Sequence, residues 1–283
     1  GNNDALAAAT SGLVIDNVTL TTVDRFNTDY RAVVGALAAT GAQLAIANIP
    51  VVTTIPFVNT VPRVVVNPAT SQPVIVNGNT VPLIGPNGPL GPNDRVLLTA
   101  TAELRMGKGI PVALGGSGQP LSDRAVLSAS EIATISARVA AFNGIIQTVA
   151  NERNAAFVDA NAILRQAAIS GIPIGGITFT PAFLTGGIFS YDGVHPTTIG
   201  YAVLANAFID AIRARFGGVL RPVDLSTYIF GGQSSPLVGV EEGVSAELLF
   251  TEEARRNLFW ALNIPENLTT TPPGRRPRGR RPR

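Results

Sequence analysis

The only histidine among the 283 residues, His195, follows Asp192 by three positions. At this spacing a carboxylate can accept a hydrogen bond from the imidazole Nδ1–H, while the second ring nitrogen, Nε2, stays available. An imidazole held in this way can act as the base of a nucleophile–base–orienter arrangement, in which it removes the proton of an attacking hydroxyl. Because the chain has no second histidine, imidazole catalysis by this chain requires His195.

The same residues also have a purely structural interpretation. Asp192 and Gly193 form a common turn dipeptide, and Pro196 is a favourable residue at the start of a helix. A turn that leads into a helix would bring Asp192 close to His195 without any catalytic role. The spacing alone therefore leaves both interpretations open.

The sequence around this pair resembles that of a known enzyme family. Residues 189–202 read Phe-Ser-Tyr-Asp-Gly-Val-His-Pro-Thr-Thr-Ile-Gly-Tyr-Ala. They are similar to the last conserved block of the SGNH (GDSL-type) hydrolases, where an Asp-x-x-His pair precedes the C-terminal helix. Residues 1–4, Gly-Asn-Asn-Asp, match the Gly-x-Asn-Asp block of that family. The resemblance covers about residues 1–217 and includes two bacterial-type segments at 47–50 and 54–57.

The resemblance implies a serine esterase or lipase that forms an acyl-enzyme and needs neither a cofactor nor a metal. By this resemblance His195 is the base, Asp192 orients it, Asn3 donates to the oxyanion hole and Asp4 supports the oxyanion loop. The substrate would be a small-molecule, lipid or carbohydrate ester. The family also suggests a secreted or cell-envelope location.

The serine of the family's first block has no counterpart in this sequence. Ser117, in Gly-Gly-Ser-Gly, comes nearest to a nucleophile turn, but Gln119 replaces the second glycine of Gly-x-Ser-x-Gly. Ser11 follows Asn3 closely in the sequence but has no Gly-Asp-Ser setting. We therefore expect an N-terminally truncated hydrolase with no nucleophile in this chain, inactive alone. The alternative is a non-catalytic binding or interaction domain that kept the fold and lost the serine.

Hydrophobic periodicity predicts alternating helices and strands. Helices are expected at about 24–40, 129–150, 160–170 and 198–216, and strands at 43–47 and 156–159. Ser128 and Glu131 form a capping-box pattern at the start of helix 129–150. A turn is expected at Asn3, and a loop rich in Gly, Thr and Phe at 171–190. The two strands are short and almost wholly apolar, as is typical of a parallel sheet covered on both faces. The fold class is therefore α/β. The family implies a three-layer α/β/α, flavodoxin-like fold whose first three strands are missing here, so that strand 43–47 becomes an unpaired edge.

The chain divides into three regions by composition. Residues 1–217 form the partial hydrolase domain, in which 58–120 are β-rich, dense in Asn, Gly and Pro turns, and are expected to be an insertion. That insertion is either a lid over the substrate or a surface excursion. Residues 218–266 form an extension with one expected helix at 251–262, and the Pro/Arg-rich tail 267–283 is expected to be disordered.

Overall composition predicts a soluble globular chain, since 46% of residues are hydrophobic and no apolar run reaches the roughly 18 residues of a membrane span. The absence of cysteine excludes disulfides, thiolate metal sites and a cysteine nucleophile. Six of the 21 basic residues lie among the last nine, so the rest of the chain is acidic. This tail lacks interleaved aromatic residues, and nucleic-acid binding is not expected. The oligomeric state is left open.

Overall fold

The computed structural model describes residues 1–230. The predicted helix 251–262 and the Arg-rich tail lie outside the described residues. The helices are α1 (Asn3–Ser11), α2 (Val23–Ala39), α3 (Pro56–Asn59), α4 (Thr101–Arg105), α5 (Ala129–Glu152), α6 (Ala160–Ser170), α7 (Thr198–Phe216) and α8 (Thr227–Phe230). The strands are β1 (Ala45–Ala47), β2 (Val66–Asn67), β3 (Gln72–Pro73), β4 (Ile75–Val76), β5 (Asn79–Thr80), β6 (Ile84–Gly85), β7 (Gly88–Pro89), β8 (Arg95–Val96), β9 (Val126–Leu127), β10 (Ala156–Val158), β11 (Ile172–Ile174) and β12 (Ile177–Phe179).

The two predicted apolar strands pair with each other. Strands β1 and β10 are parallel, with Ala45 opposite Ala156 and Ala47 opposite Val158. Among residues 1–230, β1 pairs with no other strand, and Ala45 is exposed. The class is therefore α/β, whereas the three-layer arrangement of the SGNH hydrolases stays a prediction.

Helix α5 is the central element of the main core and begins where its capping box predicts. The Ser128 hydroxyl accepts from the backbone N–H of Glu131, and the Glu131 carboxylate accepts from the backbone N–H of Ser128. These two bonds satisfy N–H groups that the first turn of a helix leaves without partners. One face of α5 packs against α1 and α2, where the ring of Phe142 stacks on Phe26 with centroids 4.0 Å apart.

Within the described residues, α5 alone is long and apolar enough to cross a membrane, as judged by length and composition. Its apolar residues recur at helical spacing, and those on one face are buried in the main core: Ile135, Val139, Phe142, Ile146 and Val149. A core helix of a globular fold passes the same test of length and composition.

The predicted insertion 58–120 forms a second hydrophobic core together with the residues that follow it, up to Val126. Three antiparallel hairpins follow one another, formed by β2 with β3, β4 with β5 and β6 with β7. Strand β8 pairs with β9, so that Arg95 lies opposite Leu127 and the region closes on itself just before α5. The buried residues of this second core are Val61, Val65, Leu83, Leu90, Val96, Ala100, Leu104, Leu121, Ala125 and Val126.

Two segments differ from their predicted structure. The turn expected at Asn3 is the first turn of α1, because residues 4–9 (Asp-Ala-Leu-Ala-Ala-Ala) are strong helix formers with an acidic residue at the positive end of the helix dipole. The loop expected at 171–190 contains the β11–β12 hairpin. The sequence does contain a signal for this hairpin. The Gly175–Gly176 pair lies between two runs with β-branched residues, and two adjacent glycines suit a two-residue hairpin turn.

Candidate active site

The residues from Ser190 to Pro196, here called the Asp–His loop, immediately precede α7. Hydrogen bonds fix both ends of this loop, since the backbone N–H of Ser190 donates to the carbonyl of His195 (2.8 Å) and that of Thr197 donates to Ile188 (2.8 Å). The Thr197 hydroxyl then caps α7 by accepting from the backbone N–H of Gly200. The loop is therefore held at the start of a long helix.

Asp192 and His195 are in direct contact. Asp192 Oδ2 lies 2.6 Å from His195 Nδ1. The other carboxylate oxygen, Oδ1, accepts three hydrogen bonds, from the Ser190 hydroxyl (2.7 Å) and from the backbone N–H groups of Val194 (2.8 Å) and His195 (2.9 Å). Both oxygens are thus occupied, so the carboxylate is fixed in position and Nδ1 is the ring nitrogen that it engages.

The environment of Asp192 keeps its carboxyl group ionised. Partial burial raises the pKa of Asp192, but the hydrogen bonds from Val194, His195 and Ser190 outweigh this effect and lower the pKa from 3.8 to about 2. A carboxylate that remains charged at neutral pH can orient an imidazole and stabilise the imidazolium that forms when a proton arrives.

The His195 side chain, which carries the second ring nitrogen Nε2, is 64% exposed. The serine nearest in sequence, Ser190, donates its hydroxyl to Asp192 and not to the imidazole. Ser117 lies far away in sequence, in the insertion, where its hydroxyl accepts from the backbone N–H of Gln119. Ser11 ends α1, and its hydroxyl accepts from the backbone N–H of Leu13.

The Asp–His loop contacts residues 48–59, the segment that follows the carboxyl end of β1. The backbone N–H of Phe57 donates to the carbonyl of Gly193 (2.9 Å). The Asn59 side chain ties this segment together, because its amide nitrogen donates to the carbonyls of Thr53 (2.9 Å) and Ile55 (3.0 Å). Helix α1 contacts the same segment. The helix that carries Asn3 and the loop that carries His195 therefore share one support.

Replacement of Gly193 by alanine is expected to disorder the Asp–His loop. Gly193 has φ +69°, and a Cβ atom there would lie 2.9 Å from the backbone nitrogen of Phe57. The backbone strain alone should lower the free energy of unfolding by about 1–3 kcal/mol, and the collision adds to it. Urea unfolding would measure the loss. Gly41→Ala is the matched control, since Gly41 has φ +79° and nothing within 4 Å. Equal losses in the two variants would contradict the close packing of Gly193 on Phe57.

Asn3 and Asp4 lie in the first turn of α1. The Asp4 carboxylate accepts from the Thr21 hydroxyl (2.8 Å), and the Thr21 N–H donates to the Asp4 carbonyl (2.9 Å). Asp4 therefore ties α1 to the segment before α2. Asn3 is exposed, and among residues 1–230 no hydrogen bond joins it to Asp192 or His195. The oxyanion role of Asn3 stays a prediction.

A cluster of amide side chains at the carboxyl ends of β1 and β10 was not predicted. Asn48 donates to the Asp159 carboxylate (2.7 Å) and accepts from the Asn161 backbone (2.9 Å). The Asn143 side chain bonds both the N–H and the carbonyl of Ile49, each at 2.8 Å. These contacts fix the path of the chain towards Phe57. One residue could have indicated this cluster from the sequence: Asn143 is a polar residue beside the apolar face of α5.

Over residues 1–230, no group of three or more His, Asp or Glu side chains could hold a metal ion. Comparisons of the chain with protein families, with curated proteins and with solved structures found no match. The interpretation of the site therefore depends on its residues and their geometry.

Proposed function

We propose that Asp192 and His195 are the orienter and base of a serine ester hydrolase site of the SGNH class. The observation that carries the proposal is the 2.6 Å contact between Asp192 Oδ2 and His195 Nδ1, with Oδ1 held by three further donors. An ionised Asp192 beside Nδ1 favours the tautomer of a neutral imidazole that carries its proton on Nδ1, in which the lone pair of Nε2 can accept a proton. The substrate class is a small-molecule, lipid or carbohydrate ester.

In the proposed reaction a serine hydroxyl attacks the ester carbonyl while His195 Nε2 removes its proton. The imidazolium, stabilised by Asp192, then donates that proton to the leaving alcohol, and an acyl-enzyme results. Water deprotonated by the same nitrogen releases the acid and restores the serine. The Asn3 amide would donate a hydrogen bond to the oxyanion. The proposal assigns no serine of this chain as the nucleophile, because the neighbouring hydroxyl of Ser190 is bonded to Asp192.

The test of the pair is a nuclear magnetic resonance titration, made simple because the chain has one histidine. At alkaline pH the ¹⁵N shifts of the imidazole should show a protonated Nδ1 and an unprotonated Nε2. The Asp192 ¹³Cγ shift should titrate near pH 2. Since this folded-state pKa lies below 3.8, the carboxylate stabilises the loop fully above about pH 4, and its contribution is lost as the pH falls towards 2.

Asp192→Asn should abolish the preference for a protonated Nδ1, because the amide no longer supplies a charged acceptor. Asp210→Asn is the control, since Asp210 lies on α7 and forms an ion pair with Arg213 (3.6 Å) rather than a contact with the loop. A mixture of tautomers in the parent protein, or an Asp192 titration near 3.8, would contradict the proposed orienting role.

A further inference from the structure

Arg95 links β8, a strand of the insertion, to the segment 48–59 that contacts the Asp–His loop. The Arg95 Nε donates to Asn59 Oδ1 (3.1 Å). The Asn59 amide nitrogen in turn donates to the carbonyls of Thr53 (2.9 Å) and Ile55 (3.0 Å). Asn59 therefore uses its oxygen towards the insertion and its nitrogen towards the backbone that leads to Phe57.

Strand β8 is itself held firmly. It pairs with β9, and its residue Val96 is fully buried. The Asp94 side chain, directly before β8, accepts through Oδ1 from the backbone N–H of Ala129 (2.8 Å) in the first turn of α5. The Arg95 guanidinium also donates to the Asp94 carbonyl (3.0 Å). A side chain that extends from such a fixed element can hold its partner in a defined position.

The other end of this series of contacts is the Asp–His loop. The N–H of Phe57 lies in the first turn of α3, where a helix offers no acceptor of its own. It donates instead to the carbonyl of Gly193 (2.9 Å). Gly193 follows Asp192 directly in the chain, so a displacement of Phe57 would also displace the carboxylate that contacts His195.

We propose that Arg95 and Asn59 are positioning residues through which the insertion holds the Asp–His loop in place. The hydrogen bonds act in series, from Arg95 to Asn59, from Asn59 to the backbone of 53–55, and from Phe57 to Gly193. The inference rests on the proposed function for the chemistry that the loop performs. This role of the insertion differs both from a lid over the substrate and from a surface excursion.

Hydrogen exchange at two backbone amides measures how often this series of contacts opens. The sequence has one Pro-Phe pair, so labelling with ¹³C′-proline and ¹⁵N-phenylalanine selects the amide of Phe57, which follows Pro56. A ¹⁵N-histidine label gives one backbone amide, that of His195, which donates to Asp192 Oδ1 (2.9 Å). The amide of Phe142, in the core helix α5, serves as the reference for global unfolding.

In the full chain, Arg95→Ala should speed exchange at Phe57 and His195 about threefold, the effect of losing one hydrogen bond near the surface. Exchange at Phe142 should not change. Asn59→Ala removes the amide that makes all three bonds and should speed exchange about tenfold. In the Asn59→Ala background, Arg95→Ala should have no further effect, because the acceptor of its bond is already gone.

Arg124→Ala is the matched control, because Arg124 is exposed and lies in the turn before β9. It should leave both amides unchanged. Three results would overturn the proposal: an Arg95→Ala variant that exchanges like Arg124→Ala, faster exchange at Phe57 but not at His195, or an effect of Arg95→Ala that persists when Asn59 is replaced. If Asn59→Ala fails to fold, the comparison of Arg95→Ala with Arg124→Ala still decides. A mixture of imidazole tautomers in the parent would contradict the proposed function and leave these exchange rates unaffected, so the two failures are distinguishable.

Discussion

The 283-residue chain is expected to hydrolyse an unactivated ester such as tributyrin no faster than its His195→Ala variant. A base without a nucleophile does not form an acyl-enzyme, and in a serine protease the loss of the catalytic serine lowers kcat by about a millionfold. An unactivated ester is needed because a free imidazole can attack an activated phenyl ester directly. Acid release under constant pH, followed by titration, would measure the rate.

The control for this experiment is a set of single serine substitutions. Ser190→Ala tests the hydroxyl beside Asp192, and Ser117→Ala tests the Gly-Gly-Ser-Gly segment. Neither should change a rate that is already at background. Hydrolysis that exceeds that of His195→Ala and disappears in one of these variants would show that the chain contains its own nucleophile. In that case the expectation of inactivity would be wrong, while the roles of Asp192 and His195 would stand.

The second large effect is expected at Asn3, in a form of the protein that also contains a Gly-Asp-Ser block. If a natural form of the protein carries such a block together with residues 1–283, that form is expected to hydrolyse esters. In this form Asn3→Ala should lower kcat by about a hundred- to a thousandfold, the usual effect of losing one oxyanion donor. KM should change little, because the lost hydrogen bond strengthens only in the transition state.

Asn2→Ala is the matched control for Asn3→Ala. Asn2 is also an exposed asparagine, lies beside Asn3 and makes no side-chain capping bond to α1. A kcat for Asn3→Ala close to that of Asn2→Ala would show that the Gly-x-Asn-Asp match is coincidental. A complete absence of hydrolysis despite an intact Gly-Asp-Ser block would favour the alternative of a non-catalytic binding domain.

The sequence predicted the elements whose signals are local. Ser128 and Glu131 marked the start of α5 because a capping box involves residues of one helical turn. The contact between Asp192 and His195 was also predictable, since both residues belong to one short loop. The start of α1 was missed because the Gly-x-Asn-Asp match favoured a turn over the helix propensity of the alanines that follow. The β11–β12 hairpin was missed although Gly175 and Gly176 marked its turn.

By itself, the sequence determined the alternating helices and strands, the apolar pair β1 and β10, and the Asp192–His195 pair, because periodicity, caps and short spacings act within a few residues. Only the tertiary structure decided what supports the pair. The contact of Phe57 with Gly193, the bonds of Asn143 to Ile49 and the second core of the insertion join residues that are distant in the chain. Such contacts form where packed elements meet, and no local pattern specifies which elements those are.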